Sequence, residues 1–510
     1  MQKHPRRLFT LLLALLFALP LFSTRAEGPL HGVIYEVFVR AFADSDGDGI
    51  GDFNGILAKL DYIHNLGVSA LWLMPIHPSP SYHGYDVTDY RDVNPDYGTM
   101  DDFLDLLDAA HSRGIKVLLD VPLNHTSVRH YWFEQSLKED SPYRSWYRWA
   151  KAGDPGVDVN QTVWGAKPWK PSGDAYYYAI FWDGMPDLNF DNSEVKNEVV
   201  DIVRFWLDMG VDGFRLDATS HIYGEGEGQR LQDIAASSAF WQEFASRVKL
   251  YHPDAWLLGE AWESLDKRAQ ILKGMDAVVN FDVGERFLPL VKSGGSGAAF
   301  VKALEGVYAA YERVKPGYTD APFLSNHDQT RVALALGADT AKAAFAARVL
   351  LTLPGNPIIY YGEEIGMSGA KPDEELRTPM LWGGDDPFQA SWHPSRYNGR
   401  TVPVSEQEGD PASLLQRYRQ SVALRNAHPA LHSGRLEAYP LENPIPLAYW
   451  MNHGEETLLV LHNPSGKEQR LKVPPGLSIL YGEEGCLLKG EEAVLTGLGS
   501  MILSGTEGMP

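Results

Sequence analysis

The 510-residue chain is 44% hydrophobic and 22% charged, ordinary values for a folded soluble protein, and long enough for a large barrel with attachments or for several domains. Its formal net charge of −22 excludes nucleic acid and an anionic membrane surface as natural partners and leaves neutral or cationic ligands open. A single cysteine, Cys486, excludes an internal disulfide, so stability must come from core size and bound metal.

The N-terminus reads as an export signal over residues 1–26. Lys3, Arg6 and Arg7 precede an apolar run from Leu8 to Phe22, and Ser23-Thr24-Arg25-Ala26 offers a small-residue cleavage site. The run is short for a membrane span. The expectation is a secreted or periplasmic monomer with no membrane contact once the signal is cleaved.

From residue 33 to 428 short apolar strands alternate with amphipathic helices. The expected strands are Val33–Val37, Ala70–Leu73, Ile115–Leu119, Val211–Leu216, Trp256–Gly259, Ala277–Phe281, Pro322–Leu324 and Pro357–Tyr360. Between them helical spacing recurs at Ile56–Leu66, Met100–Arg113, Val195–Met209, Phe240–Leu250 and Ala298–Val314. Eight such units predict an α/β fold, a closed (β/α)8 barrel. The barrel is assigned residues 27–123 and 186–428. About 70 residues separate the third strand from the next helix, too long for a plain loop. Residues 124–185 are therefore read as an inserted domain, and its many tryptophans and tyrosines mainly as that domain's own core. Residues 429–510, with short strands between Gly, Pro and Asn turns, are read as a C-terminal all-β sandwich.

Barrel chemistry gathers at the C-terminal ends of the strands. In Val211-Asp-Gly-Phe-Arg-Leu-Asp217, alternation puts Arg215 and Asp217 on the inner face and Phe214 and Leu216 on the helix side. Arg215 is expected to lower the Asp217 carboxyl, as a nucleophile needs, although a structural ion pair reads equally well from this strand alone. The fifth strand ends in Glu260. Two facing carboxyls suit a retaining glycosidase, with the proton donor raised by burial beside a group such as Trp262. The third strand leads into Asp120-Val-Pro-Leu-Asn124-His125 and the seventh into Ser325-Asn-His327-Asp328. These pairs suit sugar hydroxyls or a metal, and the absence of paired-histidine spacing disfavours zinc. Asp44, Asp46, Asp48, Ile50 and Asp52 alternate with glycines as in a calcium loop, but Gly55 stands where an EF-hand needs its bidentate Glu.

Taken together, Asp120–His125, Met185–Asn189, Gly213–His221, Gly259–Glu260 and Phe323–Asp328 resemble, in order and spacing, the α-amylase family of barrel glycosidases. The resemblance implies Asp217 as nucleophile, Glu260 as general acid/base and Asp328 as the third carboxylate. It implies Arg215 orienting the nucleophile, His125, His327 and His83 bonding to sugar hydroxyls, Tyr85 stacking on the sugar, and Asp120 in support. It further implies Ca2+ at Asp44, Asp46, Asp48, the Ile50 carbonyl and Asp52, and a second calcium at Asn124. Met185 and Ala218 depart from the oligo-1,6-glucosidase pattern and point to α-1,4 linkages. The expected activity is endo-hydrolysis of α-glucans. The same site chemistry serves a cyclomaltodextrinase or neopullulanase, an α-glucosidase on short chains, or a transglycosylase such as a trehalose synthase. A sugar-binding homologue without activity is disfavoured by the three intact carboxylates.

Overall fold

The computed structural model describes residues 30–224 and 233–505; the export signal expected over residues 1–26 lies outside them. Eight parallel strands run through the first part of the chain: β1 (Ile34–Val37), β2 (Ala70–Leu73), β3 (Lys116–Val121), β4 (Gly213–Leu216), β5 (Trp256–Gly259), β6 (Ala277–Asn280), β7 (Thr319–Pro322) and β8 (Ile358–Tyr360). They form one sheet in the order β7-β6-β5-β4-β3-β2-β1-β8. Between β7 and β8 the pairing is reduced to the single parallel bridge Phe323–Ile358. The sheet is thus a nearly closed barrel.

Side-chain alternation divides the core in two. Ile34, Trp72, Leu118, Leu258, Val279 and Ala321 fill the barrel interior, while Tyr35, Leu71, Leu119, Phe214, Leu216 and Val278 pack outward under the helices. Phe214 and Leu216 therefore take the helix side, as their positions in the strand predict. Gly213 is required where β4 meets β5, because a Cβ there would lie 2.1 Å from the Trp256 carbonyl oxygen.

The helices follow the strands, with local differences from expectation. The periodic run Ile56–Leu66 is two helices, Phe53–Ala58 and Leu60–Leu66. Lys59 separates them, with φ −101° and ψ 6° outside helical geometry, although its amide still bonds to Gly55 and its carbonyl to Ile63. Helix Met100–Ser112 starts on a capping box in which Thr99 and Asp102 satisfy each other's backbone amides. Strand β7 lies three residues before the apolar triplet that predicted it. Its Asp320 is buried and bonded to the Asn280 amide at 3.0 Å, so the strand carries no apolar signature.

After β3 the chain makes a small sheet from Trp149–Ala150, Trp169–Ser172 and Ala175–Tyr178. It closes over a core of Ala150, Val159, Val163, Trp169, Tyr178 and Ile180. Bridges His125–Asp187 and Tyr147–Leu188 tie its two ends together at the barrel rim. Beyond residue 434 come a five-stranded and a three-stranded antiparallel sheet. In the five-stranded sheet Ala448, Trp450, Leu459, Leu461, Met501 and Leu503 face the smaller sheet. The alternate residues Tyr449, Met451, Leu458, Val460 and Ile502 join the core shared with the barrel helices. Cys486 is buried and unpaired. Among the described residues no helix is long and apolar enough to cross a membrane.

Candidate active site

The site is organised around one guanidinium. Arg215 projects into the barrel mouth from β4, its side chain 1% exposed. It donates from Nη1 to Asp120 on β3 at 2.8 and 3.0 Å and to Asp217 Oδ1 at 2.7 Å. Its Nη2 pairs with Glu260 Oε2 at 2.8 Å. The register that sets Asp120 beside Arg215 and Leu216 beside Gly259 brings these strand ends together. Just beyond Asp217 the backbone turns through Ala218, at φ +50°, and the Ala218 amide donates to Glu260 Oε2 at 3.2 Å.

Burial pushes the Asp217 carboxyl above the usual aspartate range, and Arg215 opposes this without overcoming it, because Asp120 and Asp328 add negative potential. The net lowering expected from the sequence is therefore not met. Burial likewise raises Glu260, with Asp217 and Asp328 reinforcing it against Arg215. Trp262, two residues on, lies largely in solvent. Its ring is 55% exposed, stacked on Phe281 at 4.8 Å and bonded through Nε1 to Glu285 at 2.8 Å. Both carboxyls are thus raised together by burial and restrained by the one guanidinium they share.

Asp328 completes the carboxylate set from the loop after β7. Burial would raise it, but His327, Arg377 and Arg215 outweigh burial and hold it well below the usual range. His327 Nε2 lies 3.2 Å from Asp328 Oδ2 and 2.8 Å from the Tyr85 hydroxyl, whose ring stacks on the imidazole at 5.8 Å. Tyr85 also donates to Asp120 Oδ2 at 3.0 Å. His83 also stacks against Tyr85, and its Nδ1 accepts the Tyr85 amide at 3.1 Å. His125 packs edge-on against Phe181, and burial lowers it to about 3, so it is neutral. Its Nε2 is buried without a partner, as expected of a group awaiting a hydroxyl. A cleft of about 950 Å3 opens at the opposite, N-terminal end of the barrel, between it and the C-terminal sheets; none of these carboxylates lines it.

Three carboxylates in graded exposure, two of them held by one shared cation, fit an acid/base and nucleophile set for a glycosidic bond. The "Alpha amylase, catalytic domain" model matches residues 36–434. The chain belongs to the α-amylase family. It is 43% identical to Alpha-amylase 3 of Dictyoglomus thermophilum, over 85% of this chain and 84% of that one. It is 34% identical to the 4-alpha-glucanotransferase of Thermotoga maritima, over 85% and 96%. The solved α-amylase from H. orenii superposes with a TM-score of 0.86 at 40% identity, covering 93% of this chain and 99% of that chain. The protein is accordingly a glycoside hydrolase of the α-amylase type.

Several residues of this α-amylase-family site carried no sequence signal. Glu36 contacts His327 Nδ1 from β1, and Trp72 Nε1 donates to Asp120 at 3.2 Å. Arg377 donates to Asp328 Oδ1 at 2.8 Å and to the His327 carbonyl at 3.1 Å. An inward carboxylate in the first strand and an arginine after the eighth were the available clues.

The acidic loop before the first helix brings Asp44, Asp46 and Asp48 together, with oxygens within 4.8 Å of one another. Gly47 and Gly49, at φ +83° and +94°, let the chain wind tightly around them. Asp44 accepts amides of Gly47 and Gly49 at 2.7 Å each. An all-oxygen set of this charge fits a hard divalent cation. Asp52 stands outside that group, its two oxygens taking the Ser45 and Gly55 amides at 2.7 Å each. Ile50 follows in the loop, its amide bonded to Asp48 at 2.7 Å. Asn124 is buried and meets Asp187 at 3.3 Å and His125 at 3.4 Å.

Proposed function

We propose that this enzyme is an exported, retaining endo-hydrolase of α-1,4-glucosidic bonds in starch-like glucans. The observation that carries the retaining chemistry is that one guanidinium holds both carboxyls side by side, Asp217 Oδ1 on Nη1 at 2.7 Å and Glu260 Oε2 on Nη2 at 2.8 Å. An inverting pair stands roughly 6.5–9.5 Å apart to admit water between acid and base, and a retaining pair is closer. Asp217 attacks the anomeric carbon while Glu260 gives its proton to the departing glycosidic oxygen. The C–O bond to the leaving chain breaks as the Asp217–carbon ester forms. Glu260, now ionised, takes a proton from water, whose oxygen displaces Asp217 with a second inversion. Asp328 and the His125 Nε2 hold hydroxyls of the reacting sugar, and Tyr85 gives it an apolar floor.

The α-1,4 preference is supported by Met185 and Ala218, and endo action by the similarity to α-amylases. Asp44, Asp46 and Asp48 are the residues that would hold Ca2+, whose charge would neutralise three crowded carboxylates. Export is supported by the N-terminal signal sequence, and a cleaved product would begin at Glu27. The substrate is a neutral glucan and the working form a monomer.

Chromatography of timed digests of starch, pullulan and cyclodextrin tests this reading. Early mixed oligosaccharides from starch with a fall in viscosity are expected. Glucose alone without that fall contradicts endo action. Chain redistribution on maltotriose without net release of reducing ends would favour a transglycosylase, the second reading, which the similarity to a glucanotransferase supports.

A further inference from the structure

Glu36 lies one layer beneath the sugar site, on the inner face of β1 in register with Trp72 and Tyr360. Its side chain and that of His327 are both fully buried. One Glu36 oxygen is in short contact with His327 Nδ1; the other is buried without a partner. The opposite imidazole nitrogen touches the Tyr85 hydroxyl and Asp328, and Tyr85 touches Asp120, which Arg215 grips beside Asp217. A continuous buried chain of hydrogen bonds therefore runs from Glu36 to the Asp217 carboxylate.

The direction of that chain depends on one proton. With Nε2 protonated, His327 donates to Asp328 and Tyr85, and Tyr85 is free to point its own proton at Asp120. With Nε2 bare, its lone pair faces the Asp328 carboxylate. Tyr85 must then turn its proton back to His327, leaving Asp120 short of a donor. We propose that Glu36 is a positioning residue that keeps His327 a doubly protonated imidazolium and so fixes the donor direction of the chain ending at Asp120, Arg215 and Asp217. This extends the hydrolytic reading of the site and assigns Glu36 no contact with substrate.

The surrounding charges agree. Burial alone would lower His327, but Asp328 and Glu36 outweigh it and pull the imidazole up to about 10. Asp120 faces the ring from β3, countered by Arg215 on β4. Arg377 engages Asp328 from the far side. Near Glu36 stand Tyr360 on β8 and Glu363 just after it. Burial pushes Glu363 up to about 8, so it is mostly neutral at pH 7 and does not compete for the imidazolium.

Glu36→Gln tests this, since the amide still accepts the Nδ1 proton but brings no charge. In the parent the alkaline limb of kcat/KM belongs to Glu260; in Glu36→Gln the imidazolium is expected to lose its proton first, so that the limb moves down by about one pH unit or more, roughly a tenfold loss per unit above it. Glu36→Asp should restore the limb at reduced kcat. In a His327→Gln background, Glu36→Gln should shift the limb no further. Imidazole 15N shifts, assigned through His327→Gln, read the charge without substrate: both nitrogens protonated at pH 8 in the parent, a neutral tautomer in Glu36→Gln. An unchanged limb with an imidazolium retained in Glu36→Gln overturns the proposal. If that variant does not fold, a parent His327 that titrates near 6.5 overturns it, and one still charged at pH 8 supports it. Absence of hydrolysis in the parent would fell the proposed function, and the 15N result would still decide this one.

Discussion

Replacing Arg215 by glutamine removes the cation shared by Asp120, Asp217 and Glu260, and its effects can be worked out from the contacts. Opposite charges about 4 Å apart at an effective dielectric of about 20 attract by about 4 kcal/mol, or about 3 pK units. Each carboxyl loses its own attraction to the cation, so both Asp217 and Glu260 rise further. The signs are the same for both groups. Asp217 must be ionised to attack, so the acid limb of the pH–rate curve moves up. Glu260 must be protonated to donate, so the alkaline limb moves up too. The whole bell shifts to higher pH, and its peak falls because Asp217 loses its orienting partner. Leaving buried carboxylates unpaired also costs about 3–5 kcal/mol of stability. For a chain of this size that is a fall in melting temperature of about 3–5 °C. Initial rates on a soluble maltooligosaccharide from pH 4 to 10, with melting curves at each pH, provide the assay. A folded Arg215→Gln enzyme whose two limbs coincide with the parent's would refute the claim that this cation sets the charge state of the pair.

Three further outcomes are expected. Asp217→Asn should abolish turnover while calorimetry still detects maltooligosaccharide binding; residual activity near the parent's would remove Asp217 as the nucleophile. Chelation should lower the melting temperature and Ca2+ restore it, by about 2.7 kcal/mol of stability at a hundredfold excess over Kd, and Asp46→Asn should lose the response; a parent indifferent to both treatments speaks against the cation loop. Asp320, raised by burial to about 6, favours folding below the unfolded aspartate range and loses that contribution as pH rises through 6. Asp320→Asn should therefore be near neutral at pH 4 and stabilising by up to about 3 kcal/mol at pH 8, and equal melting shifts at both pH values would contradict this.

The barrel was legible because most strands announce themselves twice, by apolar content and by the helix that follows. Strand β7 fails the first test, since Thr319 and Asp320 supply no apolar run and Asp320 spends its burial on Asn280 rather than on a hydrophobic neighbour. The division at Lys59 was hidden for the opposite reason: helical spacing and the hydrogen bonds of Lys59 continue through it, and only its dihedrals depart. In the site, Arg215, Asp217 and Glu260 were readable from strand alternation and strand ends. Their protonation was not, because the sequence names a neighbouring arginine but not how deeply the cluster is buried. Glu36 and His327 stand 291 positions apart, and no local spacing predicts a contact made by closing a barrel. Asp44, Asp46 and Asp48 were legible as a loop because their side chains bond to amides of the loop itself, whereas Asn124 rests on what an inserted segment brings back to the rim.

The two-sided packing of the C-terminal five-stranded sheet has a consequence for how the protein is built and cut. The helix Thr340–Thr352 between β7 and β8 is buried along nearly its whole length. Thr352 bonds with Tyr449 and His462 of the sheet at 2.8 and 3.0 Å, and Arg348 pairs with Glu483 at 2.7 Å. The last eighty residues are thus a wall of the catalytic body. A minimal enzyme trimmed at the end of the barrel would bare Tyr449's docking surface just where the eight-stranded ring closes by a single bridge, and exchange of this region between homologues would succeed only if the facing helix travelled with it.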